Sequence, residues 1–295
     1  MKTAVIVLSF NTKELLKNCL DSIFTKKWRY KYDIYVVDNA STDGSFEMVE
    51  KEFPKVHLTK NKENVGFTKG NNQILNTIKA DLYLLLNSDT EVIEDSLDNL
   101  VDFTKNNHYG ITTCRLIYKD RKFQPNAGLL PDFLALFIWL SGFDDVIPLW
   151  VKLPSVHLKQ ESLKGTKEVG WVSGSVMMIK KEVIEKIGGL DEDIFMYGED
   201  VELCFRAKKA GFKVGWTDSA TIMHIGGGST KDPAYKQWIG EFNGLIYIYK
   251  KNYGKVAAIY LKTVIIFCVI LRMIAFFLIG RIKIAQTYGK ILTNF

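Results

Sequence analysis

The stretch Asp81 to Asp89, "DLYLLLNSD", runs apolar or aromatic from Leu82 to Leu86 and then turns polar within one residue. A short apolar run without alternation suits a strand buried on both faces, and such strands belong to parallel sheets covered by helices. Asn87, Ser88 and Asp89 then fall at the carboxyl end of the strand, where open α/β sheets bind their ligands.

The segments around it extend the pattern. "AVIVLSF" (4–10) reads as a first strand, and after Asn11-Thr12 the residues Leu15, Leu16, Cys19, Leu20, Ile23 and Phe24 repeat at helical spacing. "YDIYVVD" (32–38) reads as a second strand and "NASTDGSFEMVEKEF" as a capped turn entering a helix. "VHLTKN" (56–61) is a short third strand, and "GFTKGNNQILNTI" opens a third helix. The alternation predicts an α/β fold with right-handed crossovers and a mostly parallel central sheet. Three polar clusters then share one edge: Ser9 to Asn11, Asp38 to Ser41, and Asn87 to Asp89.

At 295 residues, 47% hydrophobic and 24% charged, the chain can bury a full core as one large domain or one domain plus an appendage. Its net charge of +6 is uneven. From Phe242 onward there are eight Lys or Arg and no Asp or Glu, which leaves the rest of the chain at −2. This basic excess surrounds "TVIIFCVILRMIAFFLIG" (263–280), a combination that suits an anionic membrane surface and not nucleic acid. Arg272, in the middle of that segment, argues against a simple span and for an interfacial helix with a snorkelling Arg. A buried helix or an oligomer contact, as in a homodimer, are the other readings. The segment 128–150, "GLLPDFLALFIWLSGFDDVIPLW", reads as a hydrophobic loop helix, a flap over the active site or a second membrane contact. Cys19, Cys114, Cys204 and Cys268 include no C-x-x-C pair and read as reduced, buried thiols of a cytosolic protein. "MKTAVIVLSFN" is too short an apolar run for a signal peptide and reads as the first strand.

Asp38 and Asp89 each follow a strand, so both belong at the lip of the sheet. Singly each also fits a helix cap or a turn. Together, Asp38 can accept a hydrogen bond from the imino N–H of a pyrimidine, and Asp89 can bind a divalent cation bridging two phosphates. "NKENVGFTKGNN" (61–72) sets Gly66 and Gly70, with Asn64 and Asn71, around a helix start that suits an anion. The missing G-x-G-x-x-G after the first strand disfavours a Rossmann dehydrogenase. Adjacent on a predicted helix N-terminus, Glu199 and Asp200 face different directions, so one can enter a cleft; both also fit as complements to the helix dipole. His57, His108 and His157 read as surface or structural residues.

The motifs "VLSFN", "VVDNASTDGS", "NVGFTKGNN", "LLLNSDTEV", "GWVSGSVMMIKKEVIEKIGGLDEDIFMYGEDVELCFRAKKAGFKV" and "HIGGGST" follow one another as in family 2 glycosyltransferases. From about residue 3 to about residue 230 the chain resembles the rhamnosyltransferase-type branch of that family. The resemblance implies a GT-A fold, a Rossmann-like nucleotide-diphospho-sugar transferase, with a C-terminal apolar helical appendage. It divides the chain into a transferase domain over 1–235 (nucleotide-sugar half 1–110, acceptor half 111–235) and a basic apolar helical region over 236–295.

The resemblance also implies roles. In the family a D-x-D motif holds the metal, commonly with Asn first in this branch. Asp89 then becomes the ligand of Mg²⁺ or Mn²⁺, and Asn87 contacts the sugar or a metal-bound water. His224 aligns with a histidine on the metal or diphosphate, in a run, Gly226 to Thr230, suited to phosphate. Ser9, Asn11, Asp38, Ser41, Asn64, Gly66, Gly70, Asn71, Asn87 and Ser88 are implied to bind the nucleotide-sugar donor. Asp200, the Asp of the family's "ED" pair, is implied to be the general base of an inverting displacement, with Glu199 orienting the acceptor. Trp171, Ser173 and Gly174 are implied to line the sugar and acceptor site, although Trp171 equally fits core packing. The expected reaction moves a sugar, L-rhamnose from a dTDP donor, onto a glycan or polyprenyl-diphosphate-linked acceptor at the inner face of the plasma membrane. A transferase using a UDP- or GDP-sugar and a catalytically silent sugar-nucleotide-binding subunit are the alternatives.

Overall fold

A computed structural model describes residues 1–142, 154–226 and 233–295. The chain divides into two compact units, Met1–Ala127 with Leu158–Ser229, and Gly128–His157 with Thr230–Phe295. The segment from Gly128 to His157 thus groups with the C-terminal helices.

In the first unit, β1 (Lys2–Ser9), β2 (Lys31–Asp38), β3 (His57–Lys60) and β4 (Leu82–Asn87) pair in parallel in the order β3-β2-β1-β4. Register sets Ser9 opposite Asp38 and Leu8 opposite Asn87, so the three polar clusters end at one level. The order reverses between β1 and β4, the switch point at which such sheets open a crevice. Leu82 to Leu86 are all buried, as a strand covered on both faces requires.

Beyond β4 the sheet departs from simple alternation. The strand β6 (Tyr109–Ile117) does not pair with β4; β11 (Val176–Lys180) inserts between them, antiparallel to both. Parallel to β6 runs β12 (Lys213–His224), flanked by the short β5 (Thr90–Val92), so most of the path still points one way. Helices α1 (Lys13–Phe24), α2 (Ser45–Glu52), α3 (Gly66–Leu75) and α4 (Ser96–Asn106) cover the strands. Leu16, Cys19, Leu20 and Ile23, one stripe of α1, pack with Leu84, Leu97 and Leu116 in the main core. All four cysteines are reduced and buried, and burial pushes the thiols of Cys19, Cys114 and Cys204 up to about 12.

The second unit is helical: α5 (Phe133–Ser141), α8 (Pro233–Leu278), kinked at Gly254, and α9 (Ile282–Thr293), with α6 (Lys181–Ile187) and α7 (Glu199–Lys209) belonging to the first unit. Leu261, Ile265, Cys268 and Val269 form the packed stripe of α8, joined by Leu136, Tyr288 and Ile291. The opposite stripe is bare: Val256 is 82% exposed, Phe277 62% and Leu278 77%. Tyr235–Leu278 is long and apolar enough to cross a bilayer by length and composition. Arg272 does not snorkel. Its guanidinium donates to the carbonyls of Leu140 (2.8 Å) and Trp139 (2.5 Å) and to Tyr288 Oη (3.1 Å), capping the C-terminus of α5. The part of the 128–150 stretch from residue 143 onward lies outside the described residues.

Candidate active site

At the lip of the sheet the buried hydroxyls of Ser9, Thr12 and Ser88 form a chain of two 3.0 Å hydrogen bonds that ties β1 to the end of β4. Asn11 sits at φ 53, a conformation Asn tolerates, and braces the neighbouring loop: its N–H donates to Ser41 Oγ (2.9 Å) and its Oδ1 accepts from Thr42 N (2.8 Å). Asp38 is 1% exposed. Its Oδ1 accepts from Ser41 N (2.9 Å), but its Oδ2 has no hydrogen-bond partner among the described residues. A buried carboxylate oxygen without a donor is costly, and a ligand N–H is the kind of group that would satisfy it.

The run over 61–72 makes many of its contacts within the fold. Gly66 N donates to Asn64 Oδ1 and Phe67 N to Phe195 O, so the first amides of α3 are already used. Gly66 needs its φ of +87, and a Cβ there would stand 2.8 Å from Phe195 O. Gly70 lies inside α3, where a Cβ would overlap the Leu8 side chain; it permits close packing of helix on strand. Asn71 donates to Phe67 O within the helix, and Asn72 clamps Leu190 by both its backbone groups. Asn64, Gly66, Gly70 and Asn71 therefore shape the crevice wall. Asn39, which sequence reasoning passed over, organises that wall: its side chain bonds Asn64, Gly66 O and Asn61.

Asp89, 8% exposed, meets His224 across the crevice, with Oδ1 3.2 Å from Nε2. Its Oδ2 accepts from Gly226 N (3.1 Å). His224 Nδ1 stands 3.0 Å from Gln124 Oε1, and on that assignment the proton sits on Nδ1 while Nε2 turns its lone pair inward. Asn87 Nδ2 lies 3.4 Å from the same nitrogen. Two ligands at right angles on an ion with bonds of about 2.1 Å stand about 3.0 Å apart, so this O/N pair fits one divalent cation. Among the described residues there is no group of three or more His, Cys, Asp or Glu that could hold a metal ion. Gly227 to Thr230 of the expected phosphate run lie outside the described residues. Gln124 carried no sequence signal, since only the pairing of β7 (Phe123–Gln124) with β6 brings it near.

Glu199 and Asp200 lie at the start of α7, where Tyr197 (φ 71) and Gly198 (φ 96) are both left-handed. Such a turn strains Tyr197 and aims the first helical residues. Asp200 Oδ2 accepts from Gly174 N (3.1 Å) and Oδ1 from Val201 N (2.8 Å). It keeps partial solvent access, yet burial raises its carboxyl above the ordinary range against these amide bonds. Ser175 O accepts from Asn87 N, so the Gly174 loop joins the Asn87–Asp89 end of β4 to Asp200. Ser173 Oγ lies 3.0 Å from Ser175 Oγ. Glu199 and Trp171 are buried, both 6% exposed. The loop is held from behind by Asn126, which no motif marked: its O accepts from Ser173 N and its Oδ1 from Trp216 Nε1.

A family model described as "Glycosyl transferase family 2" matches residues 4–188. The chain is 28% identical over 217 residues to the N-acetylglucosaminyl-diphospho-decaprenol L-rhamnosyltransferase of Mycobacterium tuberculosis, covering 68% of this chain and 69% of that one. It is 23% identical over 228 residues to the rhamnosyltransferase WbbL of Escherichia coli K12, covering 75% and 82%. Among solved structures it resembles the mannosyltransferase PcManGT from Pyrobaculum calidifontis in complex with GDP-Man and Mn²⁺, with a TM-score of 0.60 and 18% identity, covering 99% and 80%. That likeness speaks to fold alone, and it agrees with the expected GT-A architecture.

Proposed function

The chain belongs to glycosyl transferase family 2, and on that premise we propose that it is an inverting, cation-assisted hexosyltransferase acting on a lipid-linked or polysaccharide acceptor. The observation that carries the reading is the Asp89–His224 pair, 3.2 Å apart, at the end of the sheet where β2 finishes at Asp38. Asp38 Oδ2 accepts from a pyrimidine N3–H, which favours a dTDP- or UDP-sugar. Asp89 and His224 would hold a divalent ion, which would supply charge neutralisation of the departing diphosphate. Asp200 removes the proton from an acceptor hydroxyl as that oxygen bonds to the anomeric carbon and the bond to the diphosphate oxygen breaks. The electron pair leaves with the diphosphate, and attack from the opposite face inverts the centre. The raised Asp200 carboxyl makes a better base than an ordinary aspartate while it is ionised. Rhamnose as the donor sugar draws support from the names of the two rhamnosyltransferase relatives.

The bare stripe of α8, with eight cations and no acid from Phe242 onward, supports seating on an anionic cytoplasmic membrane surface. The deciding experiment measures nucleoside diphosphate release from dTDP-rhamnose and from UDP- and GDP-sugars, with Mg²⁺, Mn²⁺ or EDTA, in acceptor-containing membrane extract. Cation-dependent release from one donor is expected. Nucleotide binding without release from any donor would favour a silent binding subunit.

A further inference from the structure

A second cavity, of about 190 Å³, opens in the first unit and is lined by Arg115, Phe123, Gln160, Leu163, Lys164, Trp216 and Asp218. That volume equals about six waters of liquid, room for a small oxyanion or one acidic sugar but not for a whole nucleotide. Alternation along β6 turns Cys114 and Leu116 into the main core and Thr113 and Arg115 to the opposite face, beside Trp216.

Arg115 is the unusual member. Its Nε is buried and has no hydrogen-bond partner, and its guanidinium makes no ion pair among the described residues. Most arginines this close to a core are matched, as Arg206 is by Glu202 and by the carbonyls of Ile187 and Gly189. Leaving a guanidinium partly out of water with no partner is costly, and its planar fork is shaped for a carboxylate or phosphate. Lys164 adds a second positive charge. The one acid in the wall, Asp218, spends Oδ2 on Gly165 N (2.7 Å), which pins the Lys164–Gly165 turn to β12. Phe123 and Trp216 give apolar walls and Gln160 an amide, a lining that suits a sugar ring carrying an oxyanion.

The walls of the cavity connect to the candidate active site through the chain and through hydrogen bonds. Phe123 precedes Gln124, which holds His224, and Trp216 is bonded to Asn126, which holds the Ser173 loop in front of Asp200. We propose that the Arg115–Lys164 cavity is an acceptor subsite that reads an oxyanion, the phosphate or carboxylate of an acidic glycan acceptor, and so selects which acceptor presents its hydroxyl to Asp200. The acceptor role rests on the transferase reading; the anion site does not.

The test titrates the full-length protein with inorganic phosphate and, separately, with glucuronate by calorimetry, in EDTA so that the Asp89–His224 end binds no cation. The same titrations are run on Arg115→Gln, Arg115→Lys, Lys164→Ala and, as a control at the donor end, Asp38→Asn. Expected are binding of at least one probe, weakening of about tenfold or more in Arg115→Gln, partial retention in Arg115→Lys, and no change in Asp38→Asn. Phosphate as the better probe points to a phosphorylated carrier, glucuronate to a uronic acid. Neither probe binding, or equal binding by Arg115→Gln, overturns the proposal; if Arg115→Gln does not fold, Lys164→Ala and Arg115→Lys decide it by the same criterion. In turnover, Arg115→Gln should raise the KM for acceptor and leave donor hydrolysis unchanged. Anion binding lost in Arg115→Gln, in a protein that releases no nucleotide from any donor, would refute the transferase reading and keep the anion site.

Discussion

Replacing Asp38 by Asn should move stability and affinity in opposite directions. In the unliganded protein Asp38 Oδ2 is buried without a donor, at a cost of about 1–3 kcal/mol or more for a charged group, while Oδ1 is satisfied by Ser41 N. Asn keeps the shape and the Ser41 bond and removes the charge, so Asp38→Asn should unfold at the same or a higher temperature than wild type. Against a pyrimidine the balance reverses. The variant turns an amide N–H towards the imino N–H, losing a charge-assisted bond of about 1.5–3 kcal/mol, or about ten- to a hundredfold in Kd. The assay pairs calorimetric titration of dTDP and UDP with a thermal scan of both proteins. Nucleotide affinity within twofold of wild type would refute the reasoning, because Asp38 would then not face the base.

Three further perturbations test separate parts. Asp200→Asn should abolish transfer and leave nucleotide affinity intact; in wild type the acid limb of kcat should lie above the usual aspartate range, since activity needs the ionised base and falls as pH drops through its raised pKa. Loss of nucleotide binding in Asp200→Asn would count against its place as the base. Gly70→Ala should lose about 1–3 kcal/mol to overlap with Leu8, more than the helix gains, with part recovered by Leu8→Ala in urea melts; lowered nucleotide affinity at unchanged stability would restore a phosphate role. Arg272→Met should lower the thermal midpoint by leaving the Trp139 and Leu140 carbonyls unmatched, whereas weaker binding to anionic vesicles at unchanged midpoint would mean that the guanidinium reaches headgroups.

Local signals sufficed where neighbours in sequence are neighbours in space. The strands β1 to β4 and helices α1 to α3 follow from short apolar runs and helical spacing, and Asp38 and Asp89 from their places at strand ends. What escaped was long-range. Nothing in "VMMIK" says that this strand enters antiparallel between β4 and β6, and Gln124 and Asn126 matter only because β7 and β12 return to the site. Gly70 shows the limit of such a signal, because a glycine near a helix start serves an anion or a close-packed Leu8 equally well, and the Leu8 contact comes only from the facing strand. Arg272 misled, since hydropathy registers its charge and not the two α5 carbonyls that accept from it.

The placement of β11 also governs the protein's birth. When β4 leaves the ribosome its far edge has no partner, and the strand that will cover it is about 90 residues away. At about 5–20 residues per second, that edge of leucines stays open for about 5–18 seconds. An open apolar edge is a template for pairing with other chains. Slowing translation between β4 and β11 should therefore cost soluble yield more than slowing it after β12.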